Sequence, residues 1–403
     1  MKNKRKNLKS YVSLFSSSGV GDYGFYKAGF SLVASNELLE RRMNVQRYNA
    51  LSKDPKTYIT GDIQLNKTKE AIYSRIDAWI TKHNKDGLDL LVATPPCQGI
   101  SVANHYKKDS DLNRNSLVLQ SIIIAENTEP KIIVFENINR FLTTACTDTN
   151  GKTYEINTVI YNHLQSKYNI LGKEINFKDY GANSSRPRTL VIALRKDIFP
   201  NVSPIKLFPD RVAPKTLRDV IGDLEPLKKM GEISDSDILH EFKAYRSDMR
   251  AWIHDLKQGE NAFDNKDPMK RPHHMIGGRF IPNVNKNGDK YKRQIWDKVA
   301  PAVHTRNDIL ASQNTVHPVD DRVFSIRELM RMMNVPSEFR WSKESYDELN
   351  GMTHEKKRIW LKKNEINIRQ SLGEAVPTII FEQVGKKAGK LIDGLYTNEF
   401  IRD

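Results

Sequence analysis

Asp89 to Ser101 reads DLLVATPPCQGIS. Leu90 to Ala93 is a short apolar run, the pattern of a buried strand. Thr94-Pro95-Pro96 ends it, because proline lacks a ladder donor and restricts the residue before it. Cys97 is then presented just past the carboxyl end of a strand, where open α/β sheets bind ligands. A cysteine there is a nucleophile once ionised, or a small buried hydrophobe in a plain loop. The stretch alone leaves these two evenly matched.

The flanking sequence decides between them. Upstream, Tyr11 to Phe15 reads as a first strand. It runs into the small-residue loop Ser16-Ser17-Ser18-Gly19-Val20-Gly21 and a helix from Asp22 to Ala28. Strand, glycine loop and helix form a cradle for a nucleotide-type phosphate or carboxylate. Ser31 to Ser35 is a second strand ending in Asn36-Glu37, and an acid there is placed to accept ribose hydroxyls. Tyr58 to Thr60 is a third, ending in Gly61-Asp62-Ile63. Asp62 suits an adenine amino group or a type I turn. Ala71 to His83 reads as a helix, with Ile72, Ile76 and Ile80 at spacing four.

Downstream, Asn104 to Arg114 is polar and aperiodic, either an active-site loop or exposed coil. Ser116 to Glu126 reads as a buried helix, and Lys131 to Phe135 as a strand ending in Glu136-Asn137-Ile138. Gly19, Glu37, Asp62, Cys97 and Glu136 thus all fall at the carboxyl ends of successive strands. Alternating β/α order brings those ends to one edge of one parallel sheet. That shared edge favours the functional reading of Cys97. Thr153 to Tyr168 reads as mostly helical, and Thr189 to Leu194 as another strand. Arg186 and Arg188 alternate, so extended backbone points both guanidiniums the same way, to grip a carboxylate or a base carbonyl.

At 403 residues the chain has room for two domains. No apolar run is long enough to span a bilayer, and the basic start MKNKRKNLKS lacks the apolar core of a secretory signal. Two cysteines, Cys97 and Cys146, make no disulfide framework, which fits a reducing cytoplasm. The net charge of +15 suggests a polyanionic partner, nucleic acid first, or simply a lysine-rich proteome. From Phe199 to Val299 apolar periodicity weakens. A basic cluster appears there, including Lys266, Lys270, Arg271, His273, His274, Arg279, Lys286, Lys290, Lys292 and Arg293. This reads as a smaller domain touching a nucleic-acid backbone. His273 and His274 lack the partners of a zinc site, so no metal is expected. Ser325 to Met333 is a helix opened by a capping box with Glu328. Ser342 to Glu365 reads as a solvated helix pair or an insertion, and a last amphipathic helix covers Thr378 to Leu391.

In order and spacing, these segments resemble the cytosine-5 DNA methyltransferases, from Phe15 to Pro377. FSSSGVGDYGF is similar to the family's cofactor loop, PPCQGIS to its nucleophile loop and FENI to its glutamate motif. SSRPR is similar to its two-arginine motif, and SIRELMRMMNVP and RQSLGEAVP to its last two motifs. Three positions depart from the pattern: Ser17 for a glycine, Ser184 for a glutamine and Glu374 for an asparagine. The first is a small-for-small exchange with little expected effect. Ser184 alters the bracing of the active-site loop, and Glu374 weakens that position as a cofactor contact.

The resemblance implies a doubly wound, Rossmann-like α/β sheet domain binding S-adenosylmethionine over residues 1–198. A target-recognition domain would cover 199–366, and a C-terminal segment, 367–403, would return to the first domain. Cys97, Glu136, Arg186 and Arg188 are the implied catalytic residues: Cys97 adds to cytosine carbon 6, Glu136 holds ring N3, and Arg188, backed by Arg186, holds O2. Phe15, Ser17, Gly19, Gly21, Glu37, Asp62, Ile63, Pro96, Ala375 and Val376 are the implied cofactor contacts. Gln98, Ser101, Lys270, Arg271, Arg279, Lys292 and Arg293 are the expected contacts to double-stranded DNA. The expected enzyme is a cytoplasmic, nucleoid-associated monomer, and the sequence leaves open whether a separate restriction endonuclease accompanies it. The nearest rival is a tRNA cytosine-5 methyltransferase, disfavoured by the long 199–299 region. An idle DNA-binding relative is disfavoured by the intact Cys97, Glu136 and Arg188. A nicotinamide oxidoreductase is disfavoured by a loop that lacks G-x-G-x-x-G.

Overall fold

The structure is a computed structural model and describes residues 8–96, 115–284 and 288–394. The chain divides into two compact units. The first holds the residues up to Tyr180, Pro187–Arg211 and those from Thr378 onward; the second holds Gly181–Arg186 and Val212–Pro377. The divide therefore falls at 211/212, where a boundary after 198 was expected, and residues 367–377 go with the second unit.

The first unit is built on a sheet of β1 (Lys9–Leu14), β2 (Phe30–Glu37), β3 (Tyr58–Thr60), β4 (Leu90–Ala93), β5 (Ile132–Ile138), β6 (Tyr168–Asn176) and β7 (Pro187–Arg195). Their spatial order is β3-β2-β1-β4-β5-β7-β6. The strands β1 to β5 pair in parallel, and β7 runs antiparallel to both β5 and β6. All of β4 and nearly all of β5 are buried, as continuous Leu, Ile and Val runs demand of inner parallel strands. The helices of this unit begin with α1 (Asp22–Lys27), α2 (Glu40–Tyr48), α3 (Asn66–His83), α4 (Leu117–Thr128) and α5 (Ile156–Leu164). Side chains alternate across β1. Val12 and Leu14 join Ile72 and Ile76 of α3, Ile122 of α4 and Val159 and Ile160 of α5 in one core.

The sequence reading missed β6. Residues 153–168, expected as helix, instead begin with a short strand, Thr153–Glu155, pairing with Ala145–Thr147; α5 follows, then the start of β6. The strand YNILGKEIN is largely half-buried or exposed at the sheet edge, so its polar positions carry little alternation to read. Its presence makes β6 and β7 a neighbouring antiparallel pair, and that reverses β7 relative to the rest.

The second unit has few regular elements. Trp252, Ile253, Tyr291, Leu310, Val316 and Val323 form a core. A two-stranded ribbon, β8 (His273–Ile276) and β9 (Arg279–Pro282), turns at Gly277-Gly278, both at positive φ. The expected capping box opens α6 (Ile326–Met332), with Ser325 Oγ accepting from Glu328 N and Glu328 accepting from Ser325 N. A short helix, Tyr346–Asn350, precedes α7 (His354–Glu374), which takes in the RQSLGE stretch.

The last helix, α8 (Thr378–Ile392), packs in the first unit against α1. A Cβ on Gly24 would lie 2.4 Å from Thr378 O, so only glycine permits this approach. Phe25 stacks on Phe381 at 4.9 Å and tilts against Tyr11 at 5.4 Å. Tyr11 points away from Val12, so this aromatic group covers the opposite sheet face, and the sheet carries helices on both sides.

Candidate active site

The loop after β1 is bent through left-handed backbone: Phe15 at φ 57°, Ser17 at 47° and Gly19 at 77°. Buried Gln46 on α2 holds it in place. Its Nε2 donates to Ser16 Oγ at 2.7 Å and to Ser17 O at 2.8 Å, and its Oε1 accepts from Ser35 Oγ at 2.6 Å. A Cβ on Gly19 would meet the Gln46 side chain at 2.8 Å, so this glycine answers both to its φ and to that neighbour. Sequence reading passed over Gln46. The signal was a glutamine three residues after Met43, on the buried face of α2.

Two acids stand at neighbouring strand tips. Glu37, in register with Thr60, accepts from Ser17 N at 3.0 Å and Leu39 N at 2.9 Å. Asp62 Oδ1 accepts from Gln64 N at 2.9 Å, the turn geometry anticipated as one of its two readings. Ile63 is buried beside it. Gly21 precedes α1, whose first residue, Asp22, is buried. Burial pushes the Asp22 carboxyl up to about 7 against the opposing hydrogen bond from Ser13. These groups, with Phe15 and Ser17, surround the loop, and their hydrogen-bonding acids and left-handed cradle fit a ligand carrying hydroxyl and amino donors.

The chain leaving β4 is fastened on both sides. Thr94 N donates to Leu14 O at 3.2 Å, Thr94 Oγ1 donates to Phe15 O at 3.0 Å, and Asn137 Nδ2 donates to Pro95 O at 2.7 Å. Pro96 is the last described residue before Cys97. Cys97, Gln98, Ser101 and the polar segment 104–114 lie outside the described residues. Glu136, 5% exposed, forms an ion pair with Arg188 Nε at 3.2 Å. The register explains the pair: Ile138 faces Arg188 and Glu136 faces Leu190, so Glu136 and Arg188 are diagonal neighbours on one face of an antiparallel ladder. Burial lowers the pKa of the Arg188 guanidinium, and the Glu136 carboxylate acts to raise it again. Because β7 is reversed, the start of that strand shares the sheet edge with the ends of β1 to β5.

Arg186 departs from expectation. Its Nη1 donates to Val303 O at 3.0 Å and its Nη2 to Gly373 O at 2.9 Å, within the second unit. The two guanidiniums therefore engage different targets, and Arg186 is a main-chain clamp two residues from the Glu136 partner. Ser184, fully buried, forms a bridge with Ala300 instead of presenting a long side chain. A Cβ on Gly373 would lie 2.5 Å from His304 C, which fixes glycine there; Glu374 is exposed, while Ala375 and Val376 are buried.

Among the expected DNA contacts, Arg293 is a correction. It is 3% exposed and donates to Asp321 Oδ1 at 2.7 Å and to the carbonyls of Ile253, His317 and Val319. A guanidinium with five donors suits that role better than any neighbour. Lys270 pairs with Asp255, Arg271 Nε donates to Asn265 O at 2.6 Å, Lys292 is half-buried, and Arg279 is exposed on β9. Among the described residues, no group of three His, Cys, Asp or Glu could hold a metal ion, and no helix is long and apolar enough to cross a membrane.

The model of the C-5 cytosine-specific DNA methylase family matches residues 10–390. The chain belongs to that family. As a C-5 cytosine DNA methylase it methylates carbon 5 of cytosine in DNA, and the tRNA reading loses ground. Similar proteins include the Type II methyltransferase M1.HgaI of Avibacterium volantium, 27% identical over 395 residues, covering 95% of this chain and 98% of that one. The Type II methyltransferase M1.HphI of Haemophilus parahaemolyticus is 26% identical over 389 residues, covering 95% and 87%. Among solved structures, a DNA modification methyltransferase encoded within an E. coli prophage aligns with a TM-score of 0.61 at 17% identity, covering 96% of this chain and 99% of that one. The Dnmt2 methyltransferase of S. pombe aligns at 0.54 with 15% identity, covering 96% and 99%. At such identities these structures speak for the fold alone: a mixed α/β methylase with a mostly parallel central sheet.

Set against the methylase pattern, the Ser17 departure is more than a small-for-small exchange. Ser17 sits at φ 47°, where an L side chain costs about 1 kcal/mol that glycine avoids. Its N–H to Glu37 and its carbonyl to Gln46 hold it there.

Proposed function

We propose that this methylase is the modification enzyme of a Type II restriction-modification system. On this reading it methylates one cytosine in a short specific sequence of double-stranded DNA by way of a covalent cysteine adduct. The buried Glu136–Arg188 pair carries the reading, together with the tether from Asn137 to Pro95, two residues before Cys97 in the sequence.

The first unit would bind cofactor and carry the chemistry; the second would recognise the target. Cytosine carbon 5 is a poor nucleophile. The Cys97 thiolate forms a bond to carbon 6, and the ring electrons shift toward carbon 5 and N3. Glu136 holds N3 and shares a proton with it, while Arg188 donates to O2, so charge is met where it develops. Phe15, Ser17, Gly19, Gly21, Glu37, Asp62, Ile63 and Pro96, with Ala375 and Val376, are the residues we assign to hold S-adenosylmethionine, which supplies an electrophilic methyl group when bound. Loss of the carbon 5 proton then lets the bond to Cys97 break and restores the ring. A stacked base cannot be reached this way, so the target is flipped out, at a cost of a few kcal/mol. Arg186 acts on main chain and positions its surroundings.

The relatives' printed names support the restriction-modification setting. We infer a monomer acting in the cytoplasm with the nucleoid, alongside a separate endonuclease. Expression in a methylation-free bacterial host, read by bisulfite sequencing, tests the reading. Protected cytosines in one recurring sequence are expected; soluble protein with no protected cytosine overturns it.

A further inference from the structure

We propose that the outward face of the β8–β9 ribbon reads base edges in the DNA major groove, with Ile276 and Ile281 against thymine methyl groups and Arg279 on a guanine. This rests on the reading that the chain acts on double-stranded DNA, and it names how the second unit chooses its sequence.

Directly opposed residues of an antiparallel pair share a face. In the ribbon, His273 faces Pro282 and Met275 faces Phe280; His274 faces Ile281 and Ile276 faces Arg279. On the first face the inner pair is seated, His273 being 8% exposed and lying 5.2 Å from the Trp252 ring and 4.5 Å from the half-buried Phe280 ring, while Met275 and Pro282 are exposed. The second face looks outward. Ile276 is 63% exposed and Ile281 43%, and His274 and Arg279 are exposed with them. Two aliphatic side chains on a two-stranded ribbon add nothing to the core there, and the ribbon is of the size that fits a major groove.

Charge selects the occupant. Between Pro268 and Gly288 the sequence holds Lys270, Arg271, Arg279 and Lys286, and no Asp or Glu. A second copy of the ribbon would meet its own charge; a nucleic acid meets its opposite. Lys270 and Arg271 already have intramolecular acceptors in Asp255 and Asn265. Arg279 instead stands across the ladder from Ile276. An arginine fork matches guanine O6 and N7, and an aliphatic group matches the thymine 5-methyl. Because Ile276 and Arg279 are direct cross-strand neighbours, the two bases are neighbours in the target.

The test is selection of bound duplexes from a random pool by the full chain. Wild type, Ile276→Ala/Ile281→Ala, Arg279→Ala and Arg279→Lys are compared, with thermal melting to show that each variant is folded. Wild type is expected to return a defined sequence. The double variant should lose preference at an A·T pair, and both Arg279 variants should lose roughly tenfold or more at a neighbouring G·C pair. Lysine keeps the charge but not the fork, so it separates base reading from phosphate attraction. An unchanged selected sequence in the variants, no selected sequence for wild type, or full rescue by lysine overturns the proposal. Bisulfite sequencing decides the methylation reading separately.

Discussion

The two units keep their buried polar groups satisfied in opposite ways. In the sheet unit the main chain of β1, β4, β5 and β7 is paired strand to strand, so polar side chains are left for the sheet edge: Glu37, Asp62, Glu136 and Arg188. In the second unit few ladders exist, and guanidiniums take their place. Arg186, Arg293, Arg322 and Arg369 are all buried, and each donates to at least one main-chain carbonyl. Irregular backbone leaves carbonyls that must be met, and one arginine can meet several. The buried arginines of the second unit therefore act as scaffolding, while Arg188 of the sheet unit pairs with a carboxylate at the sheet edge.

Substitutions can break this contrast at either end. The largest effect is expected for Cys97→Ala: methyl transfer lost, duplex binding largely kept, and no denaturant-resistant adduct with a 5-fluorocytosine target. Turnover by that variant would remove the mechanism. Arg293→Ala should then cost about 3 kcal/mol in denaturant unfolding, because Asp321 Oδ1 and the buried carbonyls of Ile253 and His317 lose their donor while His254 and Arg250 still pair with Asp321 Oδ2. Arg279→Ala should stay within about 0.5 kcal/mol of wild type, as surface changes do. Equal losses for the two would erase the distinction drawn here.

Acidity offers a second comparison, between two buried acids that respond with opposite sign. Glu328 is buried against Arg322 at 2.7 and 2.8 Å. Burial is the largest single influence and would raise its carboxyl, but the charge and hydrogen bonds of Arg322, with His317 and His240, together outweigh it and lower it to about 2. A depressed carboxylate contributes stability above its unfolded value, about 3 kcal/mol here, lost as pH falls from about 5 toward 2. Glu328→Gln should remove that acid limb from a plot of Tm against pH. Asp22, raised to about 7 by burial, does the reverse: its contribution is present below about pH 4 and is lost as pH rises through 7. Asp22→Asn should therefore melt higher than wild type at pH 8 and converge with it near pH 4.

Smaller effects belong to the loop after β1. Glu37→Ala should weaken S-adenosylhomocysteine binding roughly tenfold or more by calorimetry, with turnover at saturation nearly kept. Ser17→Gly should relieve the left-handed strain and stabilise the chain by up to about 1 kcal/mol; a lower Tm would show that the serine makes contacts worth more than the strain.

Much of the sheet unit was legible because its strands are buried and end in acids or prolines. Leu90–Ala93 and Tyr58–Thr60 were placed to the residue, and β1, β2 and β5 to within a few. What stayed illegible was set by tertiary context. The strand β6 is a half-exposed edge with glycine and charges, so no periodicity marked it, and without it the reversal of β7 could not be seen. Arg186 and Arg293 look like any other basic residue in a basic sequence; burial, not composition, assigns them. Gln46 shows the converse, a polar residue on a buried helix face that sequence alone could have flagged.

The close fit of α1 against α8 has a consequence for how the chain is made. Tyr11 and Phe25 emerge early from the ribosome, yet Phe381, which covers them, follows the 166 residues of 212–377. At ordinary rates of synthesis that interval is on the order of ten seconds or more. Throughout it one face of the sheet stands open, an aromatic surface of the kind chaperones hold. Chains halted before Thr378 should bind a hydrophobic dye that the 403-residue chain ignores.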